Sequence, residues 1–256
     1  MKAVFLGTGT SCGVPIIGCD CAVCCSDDPR NKRRRTSLWL EAGDVSIVVD
    51  TSADFRDQVL TFGVKRLDAV LITHAHADHI FGLDDIRRFN TMQGGFIPVY
   101  GSESTIADLQ RIFNYVNHVE RPGLYRPLVD FRAVAEPFHV GRLRVTPLPV
   151  DHGPTPTYAY RFDCAGQSIA YAPDCAAMSD EVIERLQGLD VMILDGLRKA
   201  PHSTHLTVED SVAYLRRIGA SRAFITHLTH DLEHETTQAE LPDGIDVPYD
   251  GLTLEW

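Results

Sequence analysis

Three imidazoles and a carboxylate fall within six residues at His74-Ala75-His76-Ala77-Asp78-His79, directly after the apolar run 68–73. His74 and His76 stand two apart, so on extended backbone both point to one side and can grip a single ion. Asp78 and His79 follow where residues 80–89 take on a helical pattern. That turn sends their side chains in another direction and suits them to a second ion nearby. Two ions side by side can generate hydroxide near neutral pH and hold the attacking and leaving oxygens of an in-line displacement, which is hydrolytic chemistry.

A dinuclear centre needs ligands from several loops, and the later sequence offers them at strand ends. His152 follows an apolar run in Asp151-His152-Gly153, and Asp174 and His227 close two others. Each alone reads as a structural histidine or a turn-capping aspartate. Beside the 74–79 block they become ligand candidates. The halves of the chain also echo each other: residues 45–50 resemble 168–174, and 69–74 resemble 223–227. Each half thus sets an Asp and a His at strand ends, which converge if the halves pack with those ends together.

Five of the seven cysteines crowd into residues 12–25. In a chain read as cytoplasmic, such crowding argues for metal before disulfide. Cys19, Cys21 and Cys24 supply three quarters of a tetrahedral zinc site. Cys12 and Cys25 are local candidates for the fourth position, although Cys25 is awkwardly adjacent to Cys24. His230, three residues beyond His227, offers a better route, because it ties the cysteine loop to an active-site strand.

These residues must be carried by alternating strands and helices. Strand patterns fall at 4–6, 37–40, 45–49, 69–73, 97–100, 143–148, 157–162, 168–171, 191–194 and 223–226, and helical patterns at 53–62, 83–89, 102–115, 179–186 and 208–218. Ser102 and Ser179 read as N-caps. The mixture predicts sheets packed between helices in a single domain over 1–256. Residues 113–140 are less regular and rich in Pro, Arg and aromatics, which marks them as a lid in which Arg121, Tyr125 and Arg126 could meet an anion.

With 256 residues, 44% of them hydrophobic, the chain can bury a large core. The opening residues read as a first strand rather than a signal peptide, and no segment approaches a bilayer span, so a cytoplasmic protein off the membrane is expected. A formal net charge of -11 disfavours nucleic acid and favours a small substrate. The basic run Lys32 to Arg35 reads as a solvated edge before it reads as a phosphate contact. A homodimer is compatible with the sequence.

The histidine block followed by His152, Asp174 and His227 resembles the motifs of the metallo-β-lactamase superfamily, which implies its αββα sandwich, two mixed sheets flanked by helices. By that resemblance His74, His76 and His152 hold one metal, Asp78, His79 and His227 the other, and Asp174 bridges them. Asp50 matches the family's strand-end aspartate, which orients a ligand. Gly7-Thr-Gly-Thr10, Gly13-Val-Pro15, Cys19-x-Cys21-x-x-Cys24 and Thr226-His227-Leu-Thr-His230 resemble, more narrowly, the PhnP-type phosphoribosyl cyclic phosphodiesterases. The resemblance implies two divalent catalytic metals (Mn, Zn, Fe or Ni), one structural Zn completed by His230, and a small phosphodiester substrate such as 5-phosphoribosyl 1,2-cyclic phosphate. His205 matches the family's general acid, with His202 its local rival, and Asp78 is counted with His205 among the residues carrying the chemistry. The PqqB proteins of cofactor biosynthesis share the glycine-rich start and cysteine loop, but their histidine motif is degenerate. Other hydrolases with the motif, tRNA 3′-processing nucleases and thioesterases, and a non-catalytic cofactor-biosynthesis protein of PqqB type are the rival readings.

Overall fold

Each apolar run read from the sequence becomes a strand, within a residue or two of its expected bounds, in a computed structural model that describes residues 1–117 and 125–256. One sheet runs β14 (Thr253–Glu255), β1 (Lys2–Gly7), β2 (Ser37–Ala42), β3 (Val45–Val49), β4 (Ala69–Leu71), β5 (Ile97–Gly101), β6 (Val129–Ala133). The other runs β13 (Ile245–Asp246), β12 (Arg222–Thr226), β11 (Val191–Asp195), β10 (Gln167–Ala172), β9 (Thr157–Cys164), β8 (Leu143–Val150), β7 (Phe138–Val140).

The inner faces of the two sheets meet in a core that includes Phe5, Leu38, Ile47, Tyr160, Phe162, Ile193 and Phe224. Helices α1 (Phe55–Phe62), α3 (Ile86–Gln93) and α4 (Glu103–Ile112) cover the first sheet, and α5 (Asp180–Arg185) and α6 (Val208–Ile218) the second. These layers are the expected αββα sandwich. Each fully buried Phe or Leu of the core contributes about 1.5–3 kcal/mol through the water it sheds.

Local sequence sets the helix limits. The Ser102 and Ser179 hydroxyls accept from the backbone N–H of Thr105 and Val182, as N-caps do. Thr207 and Asp210 form a reciprocal capping box at the start of α6, and Gly219 ends it at φ 68°. The predicted helix at 83–89 is instead a 3-10 turn at Leu83–Asp85 continued by α3.

Within each sheet the consecutive strands β3 to β6 and β10 to β13 pair in parallel. Their C-terminal ends therefore share one rim, where the ligand candidates lie. The internal echo holds for β3 and β10, which lead to Asp50 and Asp174. It is one strand out for the second pair: counting from β10, the counterpart of β4 is β11, while His227 closes β12.

Two further expectations change. The segment 113–140 was predicted to be irregular, yet it supplies the edge strands β6 and β7, and the Arg126 guanidinium donates to the Val116 and Pro127 carbonyls instead of facing a ligand. Arg121 lies outside the described residues, and Tyr125 lies beneath the Arg87 guanidinium. The basic run is not a solvated edge. Arg33 is 2% exposed and donates to Thr8 Oγ1 and the Pro248 carbonyl, while Arg34 and Arg35 pair with Asp57 and Asp54.

Candidate metal centre

Strand β4 delivers His74 to the rim, the extended backbone at His76 returns a second imidazole, and the short helix α2 (Ala77–Ile80) carries Asp78 and His79. His152 follows β8, Asp174 follows β10 and His227 follows β12. The fold joins them all. Asp174 Oδ2 lies 3.9 Å from His74 Nε2, 3.7 Å from His152 Nε2 and 3.6 Å from His227 Nε2, and Asp174 Oδ1 lies 3.3 Å from His79 Nε2.

Two clusters flank that carboxylate. His74, His76 and His152 converge in one, with His152 Nε2 3.4 Å from His76 Nδ1. Asp78, His79 and His227 converge in the other, with Asp78 Oδ2 3.3 Å from His79 Nε2 and 3.6 Å from His227 Nε2. Donors about 2.1 Å from one ion and at tetrahedral angles to each other stand about 3.4 Å apart, so the spacings fit ions.

The outer edges of four of the five rings are already engaged. His74 Nδ1 pairs with Thr73 Oγ1 (3.0 Å), His79 Nδ1 donates to Asp50 Oδ2 (2.8 Å), His152 Nδ1 donates to the Thr204 carbonyl (2.8 Å), and His76 Nε2 meets Thr155 Oγ1 (3.1 Å). Asp50 is itself held by the Thr73 N–H and hydroxyl. These contacts fix which nitrogen of each of the four faces inward.

The inward atoms are left bare. His74 Nε2, His79 Nε2, Asp174 Oδ1 and both nitrogens of His227 are buried with no hydrogen-bond partner among the described residues. Each such atom costs about 1–3 kcal/mol unless something satisfies it, and divalent cations suit this donor set. Burial alone would protonate Asp174, but the His227 and His79 rings hold it well below the usual carboxylate range. For His79, burial opposes charge, yet Asp174, Asp50 and Asp78 together raise it. Burial lowers His74, His76 and His152, which keeps them neutral and ready to coordinate.

The cysteine loop forms a separate four-donor cluster. His230 Nδ1 stands 3.2, 3.4 and 3.5 Å from the sulfurs of Cys19, Cys21 and Cys24. A tetrahedral zinc with Zn–S of about 2.3 Å and Zn–N of about 2.0 Å sets these atoms about 3.5 Å apart. Cys12 and Cys25, the local rivals for the fourth position, are exposed thiols outside the cluster. The Cys24 N–H lowers the Cys21 thiol to about 6, toward the thiolate that binds metal.

Of the general-acid pair, His205 was expected from the sequence, but its partner Asp195 was missed. His205 Nε2 faces Asp174 Oδ2 at 3.8 Å, and its Nδ1 lies 2.8 Å from Asp195 Oδ2, a fully buried carboxylate closing β11. The same Oδ2 accepts the Cys175 N–H at 3.0 Å. Burial drives Asp195 upward and His205 down to about 4, so both are held toward their neutral forms. The signal was present, since β11 is an apolar run ending in Asp like β3 and β10. The rival His202 is exposed, and its Nδ1 accepts from the Thr204 N–H and hydroxyl in its own loop.

Among known proteins, the model of the β-lactamase superfamily domain matches residues 46–228. A crystal structure described as a new diphosphatase from the PhnP family superposes with a TM-score of 0.91 at 41% identity, covering 100% of this chain and 97% of that one. Zinc-bound PqqB from Methylobacterium extorquens superposes with a TM-score of 0.82 at 22% identity over the whole of both chains, a likeness of fold. In sequence, the octanoyltransferase of Porphyromonas gingivalis is 36% identical over 98% of this chain and 51% of its own. The chain therefore spans about half the length of that relative.

Proposed function

The chain belongs to the β-lactamase superfamily and is a hydrolase of that fold, and on this premise we propose that it is a dinuclear metal-dependent phosphodiesterase that opens small cyclic phosphates to phosphomonoesters. A 5-phosphoribosyl 1,2-cyclic phosphate is the substrate type. His74, His76 and His152 would hold one divalent ion, Asp78, His79 and His227 the second, and Asp174 would lie between them. Such ions supply Lewis acidity, neutralising phosphoryl oxygens and lowering the pKa of water. The cluster of Cys19, Cys21, Cys24 and His230 would hold a structural zinc.

The observation that carries the reading is the Asp195–His205 pair. Attack of a water oxygen on phosphorus breaks the bond to the sugar oxygen, a poor leaving group unless protonated as it departs. Among the described contacts of Asp195, Oδ1 has no partner, so the shared proton of the neutral pair lies between Oδ2 and His205 Nδ1. Nε2 then carries the second proton and points it into the site. The Nε2 proton passes to the sugar oxygen, Nδ1 keeps the shared one, and the pair's single negative charge is cancelled when Nε2 takes up from solvent the equivalent of the proton that the attacking water gives up.

Replacing His205 by Ala tests this. The variant is expected to keep its metals and its rate on bis(p-nitrophenyl) phosphate, while losing about 10²–10⁴-fold on ribosyl and nucleoside cyclic phosphates. Equal loss on both substrate types would remove the acid role, and loss of metal would make His205 a ligand or the support of one, as its place beside His152 and Asp174 and its stack on His227 allow. A second reading follows the diphosphatase description of the 41% identical structure. Phosphate leaves without help, so a phosphoanhydride hydrolysed equally well by wild type and His205→Ala would favour it.

A further inference from the structure

Away from the rim, α1 and α3 lie on the outer face of the first sheet and leave a groove of about 490 Å³ between them. Its floor is apolar. Phe89 is buried there, whereas Leu60 and Met92 are 64% and 49% exposed, more than a closed surface leaves to large apolar side chains. The rim carries Arg56, Lys65 and Arg88, none with an ion pair among the described residues. The neighbouring carboxylates Asp57 and Asp84 are already engaged by Arg34 and Arg87. Three cations against the single carboxylate of Asp85 leave a local excess of two positive charges, in a chain whose formal net charge is -11.

We propose that this groove docks an acidic amphipathic helix of a partner protein, its apolar seam on Leu60, Phe89 and Met92 and its flanking carboxylates on Arg56, Lys65 and Arg88. Charge complementarity selects the occupant. A second copy of this chain would bring the same cationic rim to the interface, and two-fold pairing through it would set like charges together. An anionic membrane presents a flat surface that cannot follow a concave groove. A helix with apolar residues at i, i+3 or i+4 and i+7 offers the convex ridge such a groove accepts. The Porphyromonas relative, in which this domain accounts for half the chain, shows that the domain can have a neighbour attached.

The test uses the full chain and two labelled helical peptides with the same Leu seam, one flanked by Glu and its twin by Lys, followed by fluorescence anisotropy. The Glu peptide is expected to bind at least about tenfold more tightly than its twin, with affinity that falls as salt rises. A double variant, Arg56→Glu with Arg88→Glu, should reverse that preference. Leu60→Gln should weaken both peptides, with the melting curve of each variant showing that the fold persists. Equal binding of the twins, or binding indifferent to these substitutions, overturns the proposal. So does binding of phosphatidylglycerol vesicles in place of the peptide, or a dimer that Leu60→Gln dissolves.

Discussion

Substituting Asn for Asp195 should disable the proton donor while leaving every metal-facing atom in place. Asp195 Oδ2 accepts the Cys175 N–H at 3.0 Å and that of Leu206 at 3.4 Å while facing His205 Nδ1 at 2.8 Å. Two converging backbone donors force the oxygen of the substituted amide into that position, because an NH2 group there would face two N–H groups. The amide oxygen can only accept, so Nδ1 must carry the proton and a neutral His205 is left with a bare Nε2. The wrong tautomer removes general-acid catalysis, a loss of about 10²–10⁴, or about 3–5 kcal/mol of transition-state stabilisation. The assay is steady-state hydrolysis of a 2′,3′-cyclic nucleotide and of bis(p-nitrophenyl) phosphate at matched metal content. The first rate should collapse and the second should hold within a few fold. Parallel loss on both esters, or full activity on the cyclic phosphate, would refute the tautomer argument.

Two other predictions concern stability. His230→Ala removes one of four donors from a site whose zinc would be worth about 10–16 kcal/mol, a cost on the order of 3 kcal/mol. Competition with a chelator should then show zinc held about 10²-fold more weakly than in the wild type, and a wild-type count of two ions per chain in place of about three would remove the zinc assignment. Burial raises Asp250 to about 6 from 3.8, despite hydrogen bonds from Thr8 and the Arg34 N–H. The folded state thus keeps this proton where the unfolded chain has lost it, and stability falls as pH rises from about 4 to 6, by about 3 kcal/mol for this group. Denaturant titrations across that window should show the slope in wild type and not in Asp250→Asn; identical slopes would contradict it.

Much of the site was legible because its donors are strand-terminal and their spacing is chemical. His74 and His76 alternate along extended chain, and His152, Asp174 and His227 each close an apolar run. Asp195 carries the same signature but was absorbed into the end of a strand, since no partner histidine lies beside it in sequence. The fourth donor of the cysteine cluster could not be fixed from spacing. His230 lies 211 positions from Cys19, and only the packing of the first loop against the end of β12 brings them together. The strands β6, β7, β13 and β14 were missed for a different reason. They are short edge strands with mixed burial, so their pairing comes from the sheet beside them and not from their own periodicity.

The contacts behind the rings also decide which substitution reports most cleanly. Among the described residues, Asp50 and His227 are two of the three non-glycine residues with positive φ, at 64° and 62°. Each conformation costs about 1–2 kcal/mol in order to swing a strand-end side chain onto the rim. Asp50 is compensated by its bonds to Thr73 and His79. His227 has no hydrogen bond at either nitrogen among the described residues, and its ring is steadied by stacking on His205, with centroids 4.8 Å apart and planes at 10°. Truncating His205 therefore removes both the acid and the support of a ligand, so metal content must be measured beside rate. Asp195→Asn leaves the stacked pair intact and changes only where one proton sits. A difference between the two variants on nitrophenyl esters would thus measure what the stack contributes to holding His227.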